Sequence, residues 1–316
     1  MRLVRITKSL LGVLAAGYIL FYFSELVFWA RVKPDDSLSG WTGTWLAYSL
    51  LAFVFLSIVA EFRIHTVWAL FLAGAVFGWL TEGVIVQTMY EDLPRSLSFT
   101  GLAWHALISV WVGWYVVRRA LFSGLKSTFL VSAAIGMVYG LWAISWWMEP
   151  GEIAIHPIEF AMYVLVSTLL LVLAYWLYDR TVPAYFQPNR ILEIMVGLLF
   201  LLYFAFITVP SVSWAAVILP LLLFLVYLAL QRNRQRETRP PLHTSMTRTD
   251  RPWRYLGLLL IPATASLAYA AAFYFGIQWH TNWVLYLITM PAGFILFIVS
   301  LIKVWRMEGA VNENKN

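Results

Sequence analysis

Apolar residues run along this chain in ten long blocks, and polar residues collect in the links between them. Each block approaches the ~20 residues that a helix needs to cross a hydrocarbon layer. The runs are continuous rather than alternating, which predicts helices and excludes a transmembrane β-barrel. The expected spans cover residues 9–29, 44–60, 66–90, 102–117, 128–148, 158–178, 191–209, a run from 215 to near 230, 255–275 and 283–304. The first apolar run continues through LFYFSELVFWA, too long for a cleaved leader, so it is read as a retained span. The fold class is therefore all-α: a polytopic helical membrane protein with ten transmembrane helices.

One polar stretch is long. Gln231–Arg254, QRNRQRETRPPLHTSMTRTDRPWR, is rich in Arg, Pro, Ser and Thr and predicts a flexible linker. It divides the chain into an eight-span bundle (1–230), an Arg-rich linker (231–254) and a final helix pair with a polar tail (255–316).

Charge orients this arrangement. With alternating spans, the side of the termini carries Arg2, Arg5, Lys8, Arg63, Arg118, Arg119, Lys126, Arg180, Arg190, the seven Arg from Arg232 to Arg254, Lys303, Arg306 and Lys315. The opposite side carries only Arg31, Lys33 and Arg95. Basic residues are retained on the cytoplasmic side, so both termini are expected there, in a multi-pass protein of the cytoplasmic membrane. A single missed span would invert every later link and destroy the asymmetry.

Composition adds exclusions. The chain has 316 residues, 61% hydrophobic and 12% charged, about half the charge of a soluble domain. Seventeen Trp, 16 Tyr and 21 Phe suit a membrane interface. The net charge of +6 is explained by topology, so no nucleic-acid partner is expected; the lipid bilayer is the partner, with anionic headgroups a candidate ligand of Arg232–Arg254. The absence of Cys removes disulfides, thiolate catalysis and Cys-ligated metals. Neither a phosphate-binding loop, a dinucleotide fingerprint nor a nucleophile elbow is present. No cofactor is expected, and neither H-E-x-x-H nor a His pair at i, i+4 supports a metal site.

The candidate chemistry lies in Gly74–Gly113. Glu82 interrupts span three and His105 interrupts span four. Counted back from Tyr90, Glu82 lies ~12 Å below the outer end of its helix, where an exposed carboxylate costs ~3 kcal/mol. It should therefore face protein. Gly74, Gly78 and Glu82 share one helix face, as do His105, Ser109 and Gly113, and small residues permit close helix approach. The two stripes are expected to meet, with Glu82 one turn deeper than His105. Gly136 and Gly140 repeat the two-glycine spacing in span five. Glu25 is expected to snorkel to the headgroups.

His156-Pro157-Ile158-Glu159 reads as a helix start. Its sharper reading brings His156, Glu159 and His280 to Glu82 and His105. Pro220, Pro262 and Pro291 inside spans eight to ten read as architecture. Three function classes follow: a permease with its polar site in the outer half of spans three to six, a membrane enzyme using His/Glu acid–base or metal chemistry, and a structural protein without turnover. Intramembrane ionisable residues favour the first.

Overall fold

The computed structural model describes residues 2–150, 154–246 and 251–306. Among these residues every element is helical. Ten helices are long and apolar enough to cross a membrane: Val4–Trp29, Leu38–Glu61, Val67–Ile85, Leu97–Ser123, Leu125–Met148, Pro157–Tyr185, Arg190–Ser211, Ala215–Arg236, Pro252–Tyr274 and Thr281–Arg306. They are numbered spans one to ten below. The polytopic helical architecture is thus that of an integral membrane protein in contact with lipid.

Span three is the most enclosed: 83% of its most apolar stretch is buried, against 6% for span seven. It is surrounded by spans two, four, eight and ten, while span one packs against spans two, four and six. Span nine fills the space between spans five and six. Ile191, Leu198, Leu201 and Phe206 of span seven are exposed, the pattern of a helix facing lipid tails. Its polar end docks through Thr208, which is buried and donates to the Val84 carbonyl (2.8 Å).

Close approach rests on glycine. A Cβ at Gly78 would come within 2.1 Å of the Gly101 carbonyl oxygen, and one at Gly74 would touch the Ala106 backbone. Gly136 and Gly140 face Ile261 and Ala265 of span nine, so the repeated spacing serves two unrelated contacts. In hydrocarbon, helices associate through such packing rather than through water release.

Several span boundaries differ from expectation. Span three stops at Ile85, not Tyr90: Gln87 is left-handed (φ 73°) and a separate short turn, Thr88–Tyr90, follows. Span four starts at Leu97, five residues earlier than its apolar run. Span six runs through Pro183 to Tyr185, which puts Asp179 inside the helix rather than after it. Hydropathy misses these shifts because polar residues at the bundle interior can remain helical once protein replaces water as their partner.

Wide, π-type turns interrupt spans one (Tyr22–Leu26) and three (Thr81–Ile85), occupy most of span four (Leu97–Val116), and recur in span seven (Phe204–Thr208). Widening the turn leaves carbonyls to be satisfied by other groups, since no water is at hand in hydrocarbon. Side chains supply the donors. Trp104 Nε1 binds the Ser24 carbonyl (2.9 Å), Tyr139 and Tyr163 bind that of Leu26 (2.9 and 3.1 Å), and Tyr175 binds that of Gly113 (2.5 Å).

The polar residues that end span eight and follow it are packed where they are described. Asn233 donates to the Phe62 carbonyl (2.8 Å), Leu242 N–H donates to the Ile64 carbonyl (2.8 Å), and a short helix, Leu242–Ser245, follows. Arg239 pairs with Glu237 (2.8 Å) and Arg234 with Glu61 (3.5 Å).

Candidate functional site

The wide turns of spans one, three and four meet at one polar cluster. Such turns are frequent at functional sites, because the extra residue re-aims side chains that a regular helix would present elsewhere. Here they deliver Ser24, Glu82 and His105 to a common centre. His105 Nε2 lies 2.6 Å from Glu82 Oε1, and its Nδ1 lies 3.0 Å from Ser24 Oγ. Ser24 Oγ is in turn 2.8 Å from Ser109 Oγ. Thr88, carried back by the turn at Gln87, donates to the second Glu82 oxygen. Glu82 is 8% exposed and His105 2%. Phe77 and Tyr48 pack on the imidazole, at 5.5 and 6.4 Å between ring centres.

Tyr48 extends the cluster. Its hydroxyl donates to Glu25 (2.6 Å), and Trp29 Nε1 donates to the other oxygen of the same carboxylate (3.1 Å). Glu25 is half-buried and held by protein donors, partners that its place near the helix end did not suggest.

The two stripes meet only in part. Gly74, Gly78, Glu82 and His105 do form the contact between spans three and four. Ser109 and Gly113 instead face span one: Ser109 binds Ser24, and a Cβ on Gly113 would meet the Phe23 ring at 2.5 Å. The wide turns of span four displace its later residues from the face that a 3.6-residue repeat assigns them. The depths also change. Glu82 lies three residues from the end of its helix and His105 eight residues into its own, and their direct contact puts the two side chains at one level rather than one turn apart. The centre thus involves spans one, two, three and four, not spans three to six.

His156 and Glu159 lie apart from it. Both are exposed. His156 Nδ1 accepts from Ile158 N–H (3.3 Å) and the ring packs on Phe273, so the motif acts as a helix start. His280 is likewise exposed. Glu152 is outside the described residues. Among the described residues, no group of three or more His, Asp or Glu is placed to hold a metal ion.

A second buried cluster was not foreseen. Arg118 and Asp179 are both fully enclosed and bonded through Nε and Oδ1 (2.9 Å). Tyr255 donates to Asp179 Oδ2 (2.8 Å), and Arg118 also donates to the Met246 carbonyl (2.9 Å). The signal available in the sequence was one acid and one base near the same end of two spans. Read as span-end markers, they gave no hint of burial.

His243, on the short helix beneath this cluster, is buried against the edge of Phe186, and its Nδ1 has no hydrogen-bond partner. Burial, together with the nearby Arg118 charge, pushes its imidazole down to about 4. The unfolded chain, whose His titrates near 6.5, then binds a proton that the folded chain refuses. The contribution is present above pH ~6.5 and is lost as pH falls toward 4. Melting temperature in detergent should therefore drop across that window, and His243→Leu should flatten the drop. An unchanged slope would remove His243 as its source.

Near the face of the links at residues 86–96 and 276–280 lies a cavity of about 420 Å³. Phe28, Phe99, Trp142, Trp146, Trp283 and Tyr286 contribute to its wall, with Asp92, Arg95 and Glu149 as its charged residues. It does not include Glu82 or His105, but Trp104, the neighbour of His105, packs on both Phe28 and Trp142 (4.8 Å each).

No protein-family pattern matches the chain, and neither a curated protein nor a solved structure is similar to it.

Proposed function

We propose that this integral membrane protein is a proton-coupled permease whose protonatable centre is the Glu82–His105 pair. The supporting observation is the 2.6 Å contact between these two enclosed groups. Both ring nitrogens of His105 are engaged, and two protonation states that differ by one proton are both satisfied. With neutral imidazole protonated on Nε2, that N–H donates to the carboxylate and the Ser24 hydroxyl donates to Nδ1. With one proton more, the carboxylic acid donates to Nε2 of the other neutral tautomer, and its Nδ1–H donates to Ser24. The hydroxyls of Ser24 and Ser109 rotate to suit either state. A pair that accepts or releases a proton without breaking its contacts is suited to coupling protonation to a change in helix packing.

The test is proton movement in proteoliposomes carrying an internal pH dye, under an imposed potential and with candidate substrates outside. Wild-type protein should acidify the lumen faster than empty liposomes. Glu82→Gln, nearly the same size and able to keep the Thr88 contact, should slow this by at least about tenfold. Equal rates in wild type and variant would overturn the reading. If the variant lost thermal stability but no flux, the pair would be a helix lock instead.

The proposal includes an orientation. Both termini lie in the cytoplasm, with the Glu91 and Trp279 links outside. A reporter fused after Asn316 should be protected from a membrane-impermeant label in intact cells and exposed on permeabilisation. Labelling of intact cells would invert the assignment. In this orientation the exposed arginines of residues 231–254 lie at the headgroup layer of the inner leaflet, where anionic lipids attract them.

A further inference from the structure

The aromatic cavity has a chemistry of its own. Its rings fall into two groups of contacts. Phe28 lies 5.4 Å from Trp142 and 5.7 Å from Trp146, and the two indoles are perpendicular to each other at 6.5 Å. In the second group Tyr286 lies 4.7 Å from Phe99 and 6.1 Å from Trp283, again at steep angles. Aromatic rings carry negative π faces, and six rings contribute to this one wall. The indole N–H groups of Trp142 and Trp146 are both bound to the Phe28 carbonyl (2.6 and 2.8 Å). Those two residues are thereby fixed, and their donors are not available to a ligand.

The charges point the same way. Arg95 is paired with Asp92 at the exposed rim (2.9 Å), which cancels both. Glu149 receives a hydrogen bond from neutral Asn282 (3.2 Å) and has no cation within ion-pair distance among the described residues. Among the described residues Glu149 is thus the lining charge without an ion-pair partner, and Arg31, 5.6 Å over the Trp146 ring, is not among the lining residues.

We infer that this cavity binds an organic cation with an apolar body, a quaternary or protonated amine, held by the ring faces and by Glu149. Aromatic boxes attract such cations through the ring quadrupole, and the attraction is greatest where the cation is desolvated. A volume of about 420 Å³ lies within the usual range for small-molecule sites. An anion finds the opposite conditions, because the arginine is already paired. The same trimethylammonium chemistry is carried by free amines and by choline lipids. The inference rests on the rings and Glu149, not on proton coupling, and is read at equilibrium without any gradient.

The test uses the full chain in maltoside micelles, which contain no amine, and equilibrium dialysis against benzyltrimethylammonium. Saturable binding is expected, with none for benzylsulfonate, which has the same ring and the opposite charge. Glu149→Gln should weaken the cation by about tenfold, the scale of one desolvated cation contact. Trp283→Leu should weaken it severalfold; this indole is 58% exposed, so its removal leaves the fold intact. Short-chain phosphatidylcholine added as a competitor separates the two sources: displacement assigns the site to a lipid headgroup, failure to displace assigns it to a free amine, and the cation site stands in both cases. Equal binding of the sulfonate, or an unchanged affinity in Glu149→Gln, overturns it.

Discussion

Asp179→Ala is expected to destabilise the protein by about 3–5 kcal/mol, the cost of leaving a buried charge without its partner. Both members of the Arg118–Asp179 pair are wholly enclosed. Removing the carboxylate strands the guanidinium, which keeps the Met246 carbonyl as its hydrogen-bond acceptor and the rings of Tyr178, Trp114 and Phe122, 4.3, 5.2 and 5.8 Å from its central carbon. Arg118 Nη1 already lacks a hydrogen-bond partner, so no second acceptor stands ready. Tyr255 also loses its acceptor, and with it one tie between spans six and nine. The informative comparison is the double variant Arg118→Met/Asp179→Leu. Replacing both charges with apolar groups of similar volume removes the desolvation cost along with the attraction, and should recover most of the loss. Denaturation in a graded detergent mixture measures all three. A double variant no more stable than Asp179→Ala would mean that the pair is favourable in its own right.

Gly78→Ala carries the second large effect. The added Cβ would lie 2.1 Å from the Gly101 carbonyl oxygen and 2.9 Å from the His105 Cβ. The nearer obstacle is backbone, which cannot turn aside, so spans three and four must separate. Overpacking of this kind costs about 1–3 kcal/mol. It also lengthens the Glu82–His105 contact, because the clash and the contact lie one turn apart on the same helix face. Proton movement should fall as it does in Glu82→Gln, with the melting temperature falling too. Gly197→Ala is the matched control: it sits in a helix interior, its Cβ meets no atom within 4 Å, and it should gain up to about 1 kcal/mol from helix propensity. Equal effects of the two substitutions would mean that the close approach at Gly78 does not govern the site.

The sequence carried part of the site. Glu82 and His105 stood out because an ionisable residue inside an apolar run must find protein partners or move to the interface. Gly74 and Gly78, on the same face as Glu82, indicated where a helix could come close. Ser24, Tyr48 and Thr88 did not stand out, and Glu25 was assigned to the headgroups. A serine, a tyrosine or an acid near a helix end is ordinary in a membrane chain. What made them partners were wide turns in spans one, three and four and the reversal at Gln87, none of which leaves a hydropathy signature. The same turns sent Ser109 and Gly113 to span one, because one extra residue per turn rotates everything after it off the expected face. Arg118 and Asp179 looked like interfacial charges and are the most deeply buried ion pair among the described residues.

The division has a physical basis. Transfer of each span from water to hydrocarbon depends on its own side chains, nearly independent of its neighbours, so the chain alone determined ten helices and the contrast between its basic and acidic links. Which faces meet depends on packing between surfaces that are all apolar, where lipid competes on nearly equal terms and glycine clearances of tenths of an ångström decide. Only the tertiary structure could therefore bring Glu82 to His105, leave His156 and Glu159 at the surface, and gather six aromatic rings and Glu149 at one cavity.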